Sequence, residues 1–262
     1  MRKRMKRTCK MLIIVIALLF IWQICYWSGI FPELLFPSLG EIWNALVKGV
    51  TQEDLLTSIV FSLRLIGMGL FLGIVIGFIL SALAILSKFF CAIYDTVVTL
   101  FDPLPGVALL PLAILWFGTG EATTVFIIVH SVLWPISRSI IDGFRSTPSI
   151  YVECGRNIGL SKGRLITDIY LPASLPSIIS GLKVGWARAW RALISAEMIF
   201  GVSGAVGGLG WFIYIKRYQM DTAGTFAALV VIMIIGIIVE HLLFAQLEKH
   251  TIRKWGMVQN EQ

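Results

Sequence analysis

Residues able to do chemistry are few in this chain, and they fall into two groups. The first is the stretch YVECGRNIGLSKGRLITDIYLPASLPS, residues 151–177, which carries Glu153, Arg156, Lys162, Arg164 and Asp168. Mixed charges punctuated by glycine and proline suit a rigid, ionic surface element rather than bond-making. The second group is set within apolar runs: Asp95, Asp102, Lys183, Arg188, Arg191 and Glu197. Ionisable residues inside membrane segments are costly, so they face a cavity or pair with one another. Arg191 and Glu197 are six apart, a poor fit to the i,i+4 contact of one helix. Pairing with neighbouring helices and contact with a solute both stay open for Lys183, Arg191 and Glu197.

The reactive constellations of enzymes are missing from the sequence. The dipeptide Gly-Lys does not occur, so the chain has no phosphate-cradling P-loop of its own. His130, His241 and His250 show no ligand spacing, and Cys9, Cys25, Cys91 and Cys154 form no CxxC pair. His130 reads instead as a hydrogen-bonded interior histidine. There is no Ser/His/Asp set and no paired-carboxylate pattern. We therefore expect no catalytic residues, no metal ligands and no cofactor bound by this chain.

The elements that must position these groups are membrane spans. Hydrophobic residues make up 57% of the 262 and charged residues only 14%, against about 25% charged in soluble domains. With a mean hydropathy of +0.86, the class is all-α: a polytopic helical membrane protein. Runs long enough to cross a bilayer, about 20 residues each, predict about six transmembrane helices near 11–30, 59–86, 92–117, 122–141, 174–199 and 223–247. The basic start and the apolar run MLIIVIALLFIWQICYW read as an uncleaved first span, since aromatic residues close it and no A-x-A-like site follows. The third run contains Pro103, Pro105 and Pro111, which predicts a kinked or broken helix facing the protein interior. Five spans is the alternative count.

The net charge of +7 is topological and points away from nucleic acid. With the N-terminus inside, the cytoplasmic segments hold six basic residues among the first ten, together with Lys88, Arg138, Arg145, Arg156, Lys162, Arg164, Lys249, Arg253 and Lys254. The outer segments hold Lys48, Lys216 and Arg217. This bias predicts both termini and the central loop on the cytoplasmic side. Gly69, Gly73 and Gly77 recur every four residues and predict close helix packing, within one subunit or between two. PSLGEIWNALVKGV reads as an amphipathic helix on the outer surface, and 201–222 as a flexible glycine-rich loop. No internal repeat is evident.

The central loop has a grammar of its own. Thr147 and Pro148 suit an N-cap and first helical position. Ile150, Cys154 and Ile158 make an apolar stripe, and Gly159 suits the C′ position. Ser161 can cap a second short helix carrying Leu165 and Ile169, which Pro172 then stops.

These residues carry a resemblance. The EAA signature of bacterial ABC-importer permeases reads E-A-A, three residues, Gly, nine residues, Ile, one residue, Leu-Pro. Glu153, Cys154, Gly155, Gly159, Ile169, Leu171 and Pro172 match it in register, with small Cys154 and Gly155 in place of the two alanines. PLPGVALLPLAILWFGTGE, LPASLPSIISGLKVGWARAW, ISAEM and EHLLFAQLEKHTIRKW extend the resemblance to the nitrate/sulfonate/taurine branch. The resemblance implies a type I importer permease in the bacterial cytoplasmic membrane, a homodimer surrounded by lipid. Cytoplasmic ABC ATPase subunits would use ATP and Mg, and an extracytoplasmic solute-binding protein would deliver substrate. The seven signature residues would form the ATPase-coupling loop, and Lys183, Arg191 and Glu197 could line the translocation path.

The organisation that follows is a tail, first span and external amphipathic segment in 1–58, a core permease domain in 59–250 including the coupling loop 142–173, and a cytoplasmic tail in 251–262. Taurine or another sulfonate is the expected cargo, with nitrate, bicarbonate or a thiamine-precursor pyrimidine as alternatives. A self-sufficient secondary carrier or channel would account for the intramembrane charges, but not for the punctuated loop.

Overall fold

The computed structural model describes residues 2–200 and 207–251, and every regular element among them is helical. Helix α1, Arg2–Trp27, precedes α2, Leu39–Gln52. Ser38 and Glu41 close a capping box on α2, satisfying two backbone donors reciprocally. The outer faces of α1 are apolar and exposed, Ile13, Ile16 and Phe20 among them, as suits a helix against lipid. Trp22 joins α1 to the segment before α2, donating to the Pro37 carbonyl at 3.0 Å and stacking on Phe36.

The core is α3 (Leu55–Leu86), α6 (Glu121–Arg145) and the helix ending in α9 (Leu171–Phe200). Leu65, Ile66, Ile128, Val132, Ile136, Ile178, Trp186 and Leu193 meet there. With no hydrophobic drive between helices in lipid, close backbone approach must hold them. Glycines supply it. A Cβ on Gly69 would collide with Ile128, one on Gly73 would lie 3.0 Å from the Val132 Cβ, and one on Gly77 3.3 Å from Ile136 Cγ2. The structure thus uses the glycine stripe to seat α3 on α6 within the subunit.

Among the described residues, four helices are long and apolar enough to cross a membrane: Leu55–Leu86, Glu121–Arg145, Lys162–Ile199 and Thr222–His250. The apolar part of α1, Ile13–Trp27, is shorter. The third predicted run is broken. Helix α4 (Lys88–Phe101) and the segment Gly106–Phe117, a 3-10 turn leading into α5 (Leu110–Phe117), are bent by 90°. Counted as one span, the pair makes five. Pro103 and Pro105 occupy the break, where proline removes backbone donors and clashes with the preceding turn.

Two expectations need correction. The second short helix of the central loop does not end at Pro172: α8 (Lys162–Leu165) runs through a π-helical turn, Ile166–Tyr170, directly into α9. The Leu171 N–H bonds the Ile166 carbonyl five residues back, and this widened turn admits Pro172 without a break. The glycine-rich stretch 201–222 is not one loop either. Residues 201–206 lie outside the described part, but Leu209–Tyr218 forms α10, packed on α9 through Leu209, Phe212 and Ile213. The last span joins α11 (Thr222–Ile238), a π turn and α12 (Ala245–His250).

Candidate functional site

The loop between α6 and α9 is built as a rigid corner. Helix α7, Ser149–Asn157, begins one residue later than its sequence suggests, with Pro148 at the N-cap. Proline at 148 holds φ at −57° and ψ at 132°, an extended start, while Thr147 donates back to the Gly143 carbonyl and closes α6. At the other end, Leu160 N–H bonds Gly155 O and Gly159 N–H bonds Arg156 O, both at 3.0 Å. That pair of bonds is the Schellman motif, and it needs a left-handed C′ residue. Gly159 supplies it with φ +77°. Ser161 then caps α8 by accepting from the Arg164 N–H.

Packing fixes α7 against the following helix. Val152, Gly155 and Leu165 are buried, and Gly155 lies against the side-chain tips of Ile169 and Leu165, so that a Cβ there would displace them. Phe144 stacks on Tyr170 at 5.3 Å, tying α6 to the π turn. The opposite side of α7 has no partner among the described residues. Ile150, Tyr151 and Ile158 are 58%, 55% and 77% exposed, and Glu153 and Cys154 are exposed beside them. Tyr151, Cys154, Ile158, Leu160, Ile169 and Pro172 line an apolar groove of about 590 Å³. So the structure brings all seven signature residues to one corner, with Glu153 and Cys154 outward and Gly155 inward.

The intramembrane charges separate into distinct places. Asp102, at the helix break, pairs with Arg188 of α9 and lies 3.6 Å from Arg138 of α6. Beside this pair is a cavity of about 330 Å³ whose lining includes His130, Trp134, Arg188 and Arg191. Lys183 lies elsewhere, paired with Glu248 of α12. Glu197 is also apart: it is 3% exposed, accepts from Ser62 Oγ of α3 at 2.7 Å and from the Gly210 N–H at 2.9 Å. That carboxylate pins α10 to α3 and α9. Of the three residues read as path candidates, Arg191 alone lines the cavity. His130 corrects another expectation: it is buried, yet among the described residues neither ring nitrogen has a hydrogen-bond partner. Asp95 pairs with Arg145 at 3.4 Å on an exposed face.

Outside the spans, Lys216 of α10 is nearly buried, ion-pairs with Glu53 at 2.7 Å and donates to Asp221 at 2.9 Å. Burial pushes both carboxyls up, but the bonds from Lys216 outweigh it and leave each below its usual range. Burial pulls Lys216 down, and its two acidic partners more than reverse that, leaving it above its usual value. Sequence reasoning missed this cluster because Glu53 is far along the chain from Lys216 and Asp221.

Among the described residues every element is helical and four or five spans are apolar enough to cross a membrane, the organisation of a multi-pass membrane protein. Residues 69–253 match the binding-protein-dependent transport system inner membrane component family, and the chain belongs to that family. A probable ABC transporter permease protein of Haemophilus influenzae is 31% identical over 234 residues, covering 88% of this chain and 92% of its own. The taurine transport system permease protein TauC of Escherichia coli is 27% identical over 229 residues, covering 86% and 82%. Further relatives are named as permeases for aliphatic sulfonates, bicarbonate and nitrate. The fold is similar to the MetNI methionine ABC transporter in an inward facing conformation, with a TM-score of 0.63 over 82% of this chain and 99% of that one at 18% identity.

Proposed function

We propose that this chain is the transmembrane permease subunit of an ATP-driven, binding-protein-dependent importer for a small organic anion, taurine or another sulfonate first, with nitrate, bicarbonate or a thiamine-precursor pyrimidine as alternatives. ATP hydrolysis belongs to a separate ATPase that consumes ATP and Mg, and two copies of this chain form the pore. Both termini and the coupling loop face the cytoplasm; the solute-binding protein docks on the other side.

The observation that carries this reading is the corner at α7. Schellman caps and packed glycines are common at helix ends, but a loop that only connects two spans does not hold Ile150, Tyr151 and Ile158 uncovered on so rigid a corner. A docking element needs both the face and the rigidity, because a partner's motion reaches the spans only through a joint that does not bend. Alternating access is then a switch between two discrete packings of the helices, biased by closure of the ATPase.

Reconstitution into liposomes tests it. With the ATPase, ATP, Mg and binding protein, labelled taurine or another sulfonate accumulates, and omission of ATP abolishes uptake. Uptake by the purified chain alone under an ion gradient would instead establish a secondary carrier.

A further inference from the structure

We propose that the cavity beside the broken span is a binding site for the charged head of a small oxyanion, held by Arg191, Arg188, His130 and Trp134. This rests on the importer reading and gives it a location within the membrane domain.

The cavity lies where a discontinuous helix meets α6 and α9, the kind of place where membrane transporters form solute sites. Gly106 brings the second half of the broken span onto α6: a Cβ there would sit 2.5 Å from Ser131 Oγ. At about 330 Å³ the space lies at the small end of ligand pockets.

Its polar groups favour a negative guest. His130 is 7% exposed, and among the described residues neither of its ring nitrogens finds a partner; the Trp134 Nε1 is buried and unpartnered beside it, with the two rings edge to face at 5.7 Å. A neutral imidazole always carries one N–H, and an indole nitrogen only donates. Buried donors are normally satisfied, so two orphans on one cavity wall mark a place for acceptors. Arg191 commits its Nε to the Ala187 carbonyl at 3.0 Å, which leaves its terminal nitrogens available, and among the described residues no carboxylate pairs with it. The acid on this cavity, Asp102, is already held by Arg188 and Arg138. Donors and positive charge therefore exceed acceptors and negative charge. A sulfonate, carboxylate or nitrate, whose oxygens only accept, fits that surplus; an amine or metal cation does not. Leu104 and Val107 on the same wall suit a short alkyl group.

The test uses the intact permease–ATPase complex in lipid nanodiscs without binding protein, titrated calorimetrically with ethanesulfonate, nitrate and bicarbonate, and with ethylammonium as the cationic control. We expect saturable binding of at least one anion and none of ethylammonium. Arg191→Gln and His130→Phe should each weaken it tenfold or more, while Arg64→Gln, a charge change at an exposed pair with Glu121, leaves it unchanged. His130→Phe keeps the ring volume, and elution of each variant as an intact complex confirms folding. Failure of the wild-type complex to bind any of the three anions, or wild-type affinity in both cavity variants, overturns the proposal. ATP hydrolysis is then read in the same nanodiscs after the binding protein is added. If it persists without anion binding, the cavity site is wrong and the importer reading stands; if it is absent, the importer reading itself fails.

Discussion

Gly155 of α7 lies directly beneath Ile169 of the π turn, so close that a Cβ at 155 would overlap the Ile169 Cδ1. The other near atoms, Leu165 Cδ2 at 2.8 Å and Leu160 Cδ1 at 3.2 Å, are also free ends of flexible side chains. One methyl can therefore be accommodated by swinging three side-chain tips, and alanine in a helix gains roughly 0.5–1 kcal/mol over glycine. Gly155→Ala should keep ATP-coupled uptake within about twofold of wild type. Gly155→Leu must lift α7 off Ile169 and should uncouple hydrolysis from uptake. Parallel measurement of both rates in proteoliposomes separates the two outcomes.

Gly159 has φ +77° and open space around it, so the objection to a side chain there is backbone strain alone. Asparagine tolerates the left-handed region, whereas β-branched residues do not. Gly159→Asn should couple nearly as wild type. Gly159→Val should lose about 1–2 kcal/mol of local stability and with it substrate-stimulated ATPase. A Val variant with undiminished stimulation would remove Gly159 from the joint.

The three packing glycines should rank by crowding. At Gly69 the obstacle is the branched Cβ region of Ile128, at Gly73 it is Val132, and at Gly77 the nearest atoms sit at 3.3–3.5 Å. Overpacking a fitted interface costs about 1–3 kcal/mol. Alanine substitution should lower the thermal midpoint most at 69, less at 73 and least at 77; a reversed order would mean that α3 does not pack on α6 as described.

The external Lys216 cluster predicts a pH dependence. Because Glu53 and Asp221 are held below their usual range, their contribution is present above the ordinary carboxylate pKa and is lost as pH falls through their depressed folded values. Lys216, raised above its usual value, contributes below about pH 10 and loses that contribution as pH rises through its folded value. Lys216→Met removes the buried partner that both carboxylates share and should cost on the order of 2 kcal/mol. Lys48→Met should cost much less, since Lys48 is 57% exposed and surface pairs contribute little. Thermal midpoints of the detergent-solubilised wild type and both variants, followed from about pH 2 to about pH 11, check both statements.

How much of this was legible in the sequence follows the range of each signal. Hydropathy marks the long spans, the prolines at 103 and 105 mark the broken helix, and Gly159 marks the C-cap, because each acts through its own immediate backbone. The continuity of Lys162–Ile199 was not legible, since Pro172 reads as a stop unless the π turn before it is known. Helix α10 was hidden by the glycines that precede it. The partners of the buried charges were least legible: Asp102 meets Arg188 across 86 residues and Glu197 meets Ser62 across 135. No local pattern encodes such pairs; they come from which helices pack together.

The central claim is that the uncovered face of α7 is where an ATPase docks. Cys154 stands on that face and is exposed, and the chain's other cysteines, Cys9, Cys25 and Cys91, can be replaced by serine. A short bifunctional thiol reagent applied to the assembled complex, with single cysteines placed along the ATPase surface, measures the contact. The account predicts a cross-link from Cys154 whose yield changes between nucleotide-free and ATP-bound states, together with protection of Cys154 from maleimide in the complex. An intact, ATP-hydrolysing complex in which Cys154 neither cross-links nor becomes protected would contradict it.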